Sequence, residues 1–204
     1  MTVRAPGRPT DTETGEVRDR LLSEGARLFA DHGYSGASIQ EIVDAAGTTK
    51  PMVYYYFQSK EGLYEAIFHS CRDNMKKKQE SILDDAELST REKLARLIDT
   101  HFELARSTPD LARFMFLVYY GPQAELPQVD KTSDKSVVFQ GVLRVVTEGI
   151  ERDELAGDPI QLTLAILGQV LIQLTAYLQE PDLLTIDDES ARNAVDVLMS
   201  GISR

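Results

Sequence analysis

Cysteine is almost absent. A single thiol, Cys71, in 204 residues excludes an intramolecular disulfide and fits a reducing compartment. Histidine is nearly as scarce: His32, His69 and His101 are scattered, with no HExxH and no Cys/His cluster, so no metal site is expected. GxSxG, a P-loop and a dinucleotide fingerprint are all missing. The paired carboxylates Asp84–Asp85 and Asp187–Asp188 fall at expected helix ends, where capping or solvation accounts for them. These absences leave no catalytic residue and no cofactor to propose, and an enzyme is not expected. The N-terminus carries no apolar signal segment, which points to a cytoplasmic location. The longest uncharged stretch, residues 159–179, contains Gln161, Thr163, Gln169, Gln173 and Thr175, which favour a buried helix over a membrane span. Strand alternation and internal repeats are absent too. Helical periodicity runs from residue 17 to the end, so an all-α protein of about nine helices is expected.

What is present concentrates in residues 38–60, SIQEIVDAAGTTKPMVYYYFQSK. Ser38 followed three residues later by Glu41 is a capping box and opens a helix near Ile39. Ile39, Ile42, Val43 and Ala46 form its inward face, and Gly47 supplies the permissive backbone that stops it. Thr49 can cap the next helix, where Pro51 falls in the first turn and removes no hydrogen bond. Val53 and Phe57 share the inward face of that helix. Met52 and Tyr55 lie opposite, with Thr49, Lys50, Tyr54 and Tyr56 on the flanks. Ser59 caps a further helix starting at Lys60.

Two short helices around a glycine-centred turn, the second dense in aromatics, match a helix-turn-helix that places its second helix in a DNA major groove. Three consecutive tyrosines span about 200° of a helical wheel, so at least one ring must face outward. Lys50 is long enough to reach a guanine acceptor edge, and Met52 and Tyr55 suit apolar contact with thymine methyls. Ser38, Tyr54, Tyr56 and Lys60 offer hydroxyls and a cation for phosphate, which fixes register without reading sequence. Met52 and Tyr55 cannot make the bidentate base contacts of Arg or Asn, so selectivity leans on Lys50, Thr49 and DNA shape.

Residues 14–60 resemble the N-terminal domain of the tetracycline-repressor (TetR) family of regulators. The features that carry the resemblance are ARLFADHGY at the end of the first helix, IQEIVDAAG, and the tract VYYYFQSKEGLYEAIF. The resemblance implies DNA contacts at Ser38, Thr48, Thr49, Lys50, Met52, Tyr54, Tyr55 and Tyr56, with Lys60 as a phosphate-binding lysine. It also implies a homodimer and a C-terminal domain that binds an inducer. The expected organisation is a flexible arm over residues 1–16, with Arg4 and Arg8 able to reach a minor groove, a DNA-binding domain over 17–58, and a ligand-binding and dimerisation domain over 59–204.

A net charge of −11 is unusual for a DNA-binding chain, but it is unevenly placed. Residues 1–60 hold 7 Lys/Arg against 8 Asp/Glu, whereas residues 61–204 hold 15 against 25. The acidity belongs to the body, which predicts weak non-specific DNA binding. In the body, the helix over about 159–179 is apolar on nearly every side, more than one flanking layer covers. Together with the helix over about 187–202 it is expected to form a four-helix dimer interface with a second copy. Residues 121–135, GPQAELPQVDKTSDK, read as a mobile loop. An effector site is expected as an apolar cavity with a few polar groups, its candidate lining being His101, Phe102, Arg113, Phe116, Tyr119, Tyr120, Gln173 and Tyr177. The favoured reading is a repressor released from a pseudopalindromic operator by an unidentified small molecule. The alternative is a helical ligand-binding or interaction module that does not read DNA sequence.

Overall fold

A computed structural model describes residues 11–129, 132–180 and 182–202. Among these, nine α-helices follow one another: α1 (Asp11–Gly36), α2 (Ile39–Ala45), α3 (Lys50–Phe57), α4 (Lys60–Leu83), α5 (Thr90–Ser107), α6 (Pro109–Tyr120), α7 (Thr132–Glu151), α8 (Pro159–Gln179) and α9 (Ser190–Ile202). One 3-10 turn, Gln123–Glu125, lies between α6 and α7. No strand occurs among the described residues.

Two differences from the sequence expectation concern boundaries. Helix α1 begins at Asp11, inside the segment expected to be an arm, because the apolar stripe that marks a helix in a sequence starts only at Val17. Arg4 and Arg8 lie outside the described residues. The expected loop is also shorter than its composition suggested, since the 3-10 turn occupies part of it and α7 starts at Thr132.

Two hydrophobic clusters organise the chain. The first joins Leu21, Leu28 and Phe29 of α1, Ile42 and Val43 of α2, Val53 and Phe57 of α3, and Leu63, Tyr64, Ile67 and Phe68 of α4. Phe114 and Val118 of α6 belong to this cluster as well, both essentially inaccessible to solvent. The head therefore does not close on itself: its core runs through α4 and is finished by α6, across the boundary expected at residue 58. The second cluster fills the body with Leu94, Leu97, Ile98 and Phe102 of α5, Val142, Val145 and Val146 of α7, Ile166 and Val170 of α8, and Ala191 and Val195 of α9.

Local chemistry fixes the ends of these helices. Ser89 and Glu92 form a capping box at the start of α5. The buried Lys93 donates from Nζ to the carbonyl of Leu83 at 2.9 Å, satisfying an orphan acceptor at the end of α4. Asp158 caps α8 by accepting from the Gln161 N–H at 2.9 Å. Arg106 of α5 donates to the Asp187 carbonyl at 2.9 Å and pairs with Asp99, tying α5 to the approach of α9.

Within one chain helix α8 is only partly covered, in keeping with an apolar surface larger than one flanking layer hides. Only Thr163, Ile166 and Val170 are buried, because α5, α7 and α9 cover one side of it. Ile160, Leu164 and Ile172 are exposed, and with Gly168 they form an i, i+4, i+8, i+12 row on the opposite face. By length and composition alone α8 could cross a membrane. Its polar residues at 161, 163, 169, 173 and 175 weigh against that reading.

Candidate nucleic-acid interface

The turn between α2 and α3 is built as its residues require. The Ser38 Oγ accepts from the Glu41 N–H at 3.2 Å, and the Glu41 carboxylate accepts from the Ser38 N–H at 2.9 Å. Hydrogen bonding to the carboxylate from the Ser38 side chain, and then from the Ser38 backbone N–H, holds the Glu41 carboxyl below its ordinary pKa. Gly47 has φ 61°, the left-handed conformation that ends α2 without a Cβ penalty. Thr48 is half-buried and its N–H donates to the Val43 carbonyl at 2.9 Å. Thr49 stands at the N-cap of α3 in extended conformation, but its side chain makes no capping bond. The capping role expected for it is not taken up, and its exposed hydroxyl remains on the surface.

Helix α3 is anchored by Val53 and Phe57 and ended by Gln58, whose N–H donates to the Tyr54 carbonyl at 3.1 Å. Above that anchor Tyr55 is 72% exposed and Tyr54 52% exposed. Tyr55 and Tyr56 meet edge to face with centroids 4.9 Å apart. Lys50 is exposed at the N-terminal end of α3. Met52 and Tyr56 are different from the expectation: both are half-buried and pack against the head core. Lys60, at the start of α4, sits with Nζ 4.4 Å from the centre of the Tyr34 ring, a cation–π contact. Burial there lowers its pKa and Glu41 raises it back.

The residues expected to line an effector site are not gathered round one cavity. A narrow cavity of about 20 Å³ in the body is bounded by Met75, Gln79, Leu97, His101, Val142 and Leu167, among others. Of the eight candidates only His101 lines it, among the described residues. The His101 Nδ1 lies 3.1 Å from the Leu97 carbonyl, and burial pushes the imidazole pKa below its ordinary value, with that carbonyl opposing. Phe102 is fully buried in the body core. Arg113 is exposed and pairs with Asp110 and, at 3.9 Å, with Asp31 of α1. Phe116 packs on Tyr120, and Tyr119 lies near Phe68 of α4. Gln173 is half-buried on α8, and Tyr177 packs against the body core. Helix α6 is turned toward the head, which is why Arg113 and Tyr119 lie at the seam with α1 and α4, while Tyr120 stays exposed. Among the described residues no group of three or more His, Cys, Asp or Glu could hold a metal ion.

Residues 21–67 match the family model for bacterial regulatory proteins of the tetR family. Over 90% of its length the chain is 28% identical to an uncharacterized HTH-type transcriptional regulator, YdgC, of Bacillus subtilis, covering 89% of that protein. It is 32% identical to the HTH-type transcriptional repressor KstR2 of Mycolicibacterium smegmatis over 59% of this chain and 58% of that one. Over residues 21–67 the chain carries the N-terminal domain of the tetR family of bacterial regulators. The fold agrees with that of the transcriptional regulator FadR from Bacillus subtilis, solved in complex with stearoyl-CoA. The TM-score is 0.69 at 19% identity, over 90% of this chain and 98% of that one.

The protein is a helix-turn-helix transcriptional regulator. Its head has supports that sequence reasoning missed. Arg20 of α1 donates from Nε to the Ala46 carbonyl at 3.0 Å, closing the end of α2. Arg18 lies over the Phe57 ring at 5.8 Å, bracing α3 from beneath. Both arginines sit on the polar side of an amphipathic stripe, where charge reads as solvation, and no local signal marks them as braces.

Proposed function

We propose that α3 lies in the major groove of an operator, with Lys50 and Tyr55 facing bases and Tyr54, Tyr56, Ser38, Thr48, Thr49 and Lys60 meeting the duplex around them. Exposure of Tyr55 and Tyr54 on a short helix pinned by Val53 and Phe57 carries this reading. Aromatic rings left in water on a rigid support favour a partner surface over a packing role. Met52, half-buried, contributes to that surface from its edge.

The regulator acts in the cytoplasm as a homodimer, since a two-fold reader must place two heads roughly 34–36 Å apart. The exposed row Ile160, Leu164, Gly168 and Ile172 on α8 is a ridge of the kind that packs at i±4n spacing. A second copy covering α8 and α9 removes that apolar surface from water. The effector is a predominantly apolar small molecule that enters the body between α4, α5, α7 and α8. FadR, which shares the fold, holds stearoyl-CoA. A cavity of about 20 Å³ has room for little more than a water molecule, so effector binding has to open it. Opening moves α4, which starts at the head, and repression is thereby released. A coupling of about 1–3 kcal/mol, roughly 5–150-fold in operator affinity, is sufficient.

Gel-shift titration with the DNA upstream of the chain's own gene tests the reading. Lys50→Ala and Tyr55→Ala are each expected to weaken binding about tenfold. Lys50→Ala is also expected to lower the salt slope by about 1 if it meets phosphate, and to relax base preference if it meets a base. Full affinity in both variants sinks the assignment of α3.

A further inference from the structure

A second, roomier cavity lies outside the effector region, at the seam between head and body. It measures about 220 Å³, and its walls come from α1, α4, α6 and the 3-10 turn, including Phe29, Tyr34, Tyr64, Phe114, Leu117 and Glu125. The four rings form one aromatic cluster. Tyr64 contacts Phe114 at 4.8 Å, Phe29 at 5.3 Å and Tyr34 at 5.4 Å between centroids. Gly33 also borders the cavity with φ 72° and ψ 170°, the point where α1 kinks. A substituted residue is strained in that conformation, so the seam has a purpose-shaped backbone as well as an apolar lining.

One polar group stands out in this lining. Tyr64 is 2% exposed, and its hydroxyl is buried with no hydrogen-bond partner. A buried polar group without a partner is costly, and a phenylalanine would pack the same rings without that cost. Burial also pushes the Tyr64 phenol up to about 12, so near neutral pH it stays protonated and offers an O–H donor.

We propose that this seam cavity is a second ligand site, taking a neutral, ring-sized molecule toward whose acceptor oxygen the Tyr64 hydroxyl, closed off behind the neighbouring rings, turns on binding. Size fits, because a cavity of roughly 150 Å³ lined by apolar side chains already holds benzene. Charges of both signs border it, Glu125 in the lining and the Lys60 ammonium over the Tyr34 ring, so neither an anion nor a cation is favoured over a neutral ligand. An occupant touches α1 and α6 at once, and so holds the head against the body independently of the cavity beside His101. The proposal goes beyond the DNA-reading function and does not depend on it, because binding is measured without DNA.

Acetophenone is the probe, with benzoate and benzylammonium as charged analogues, titrated into the full-length protein by calorimetry and ligand-observed NMR. One saturable site is expected, with Kd about 1 mM and weaker binding of both charged analogues. Ala30→Phe, at a residue lining the cavity, fills the space and is expected to abolish binding. Tyr64→Phe keeps the ring and is expected to weaken binding roughly five- to tenfold while melting no lower than the unaltered protein. That second variant keeps the test decisive should the bulkier Ala30→Phe fail to fold. Absence of saturable binding at ~10 mM overturns the site, as does binding that Tyr64→Phe leaves unchanged. Tighter binding of either charged analogue overturns the assigned ligand chemistry.

Discussion

The head and the body use apolar residues in opposite ways. In the head, nearly every large apolar side chain finds cover within the chain, and the large rings left in water are Tyr54 and Tyr55 on α3. In the body, Ile160, Leu164 and Ile172 of α8 and Val197 of α9 remain exposed, with no hydroxyl among them to suit a polar partner. Exposed tyrosines suit a wet, charged surface, because one end of the ring is apolar and the other hydrogen-bonds. Exposed isoleucines and leucines suit a dry one. The two uncovered surfaces therefore suit different partners, consistent with the duplex proposed at one end and the second copy proposed at the other.

The comparison is not a clean division, and Phe114 is where it breaks. This α6 residue is 1% exposed inside the head cluster, against Phe29 and Tyr64. Phe114→Ala is expected to cost about 3–5 kcal/mol, the largest single effect foreseen, and to loosen the head although the residue lies outside it in sequence. Urea denaturation followed by far-UV circular dichroism, with hydrogen exchange of α1 to α3, measures both. A loss confined to body amides with the head unaffected shows two independent cores after all.

Breaking the body's side of the comparison requires a charge on the α8 row. Ile172, 68% exposed, makes no large contribution to the core of one chain, so Ile172→Glu is expected to leave helix content intact. If a second copy covers it, the buried charge costs several kcal/mol and the dimer separates at micromolar concentration. Sedimentation velocity of the two proteins reads this directly. A stable monomer in the unaltered protein removes the homodimer, and an unchanged dimer in the variant moves its interface off this face.

The same contrast explains what could be read from the sequence. The Ser38–Glu41 capping box, the Gly47 stop, the Ser59 cap with its 2.9 Å bond to the Gly62 N–H, and the start of α8 at Pro159 all depend on neighbours a few residues apart. Such features are written in order along the chain. Helical periodicity likewise identifies which residues share a face, and it placed Val53 and Phe57 inward. It does not identify which neighbour that face meets. For that reason Arg113, Phe116, Tyr119 and Tyr120 read as effector contacts, whereas α6 carries them to the seam with α1 and α4 or to the surface. Gln79, which borders the body cavity beside Met75, lies on a stretch of α4 whose lysines and glutamate read as a solvated surface.

Acid separates head and body by the groups each protects, and this is the smallest effect expected. In the head, Glu41 has its pKa lowered from 4.5 by the bonds from Ser38. Its contribution is therefore present above about pH 4.5 and lost as pH falls through the lower folded value. In the body, His101 has its pKa lowered from 6.5 by burial. The unfolded chain then takes up the proton first, so stability is complete above about pH 6.5 and declines below it until the folded value is passed. The body consequently weakens before the head on acidification, with a slope from this residue of at most about 1.4 kcal/mol per pH unit. Urea midpoints at pH 7, 6 and 5 for the unaltered protein and for His101→Gln measure it. The variant is expected to have the shallower dependence over that range, while hydrogen exchange in α2 and α3 stays unchanged until the carboxylate range is reached. Equal slopes in the two proteins show that the His101 ring is as well solvated folded as unfolded, and that acid acts on the body through other groups.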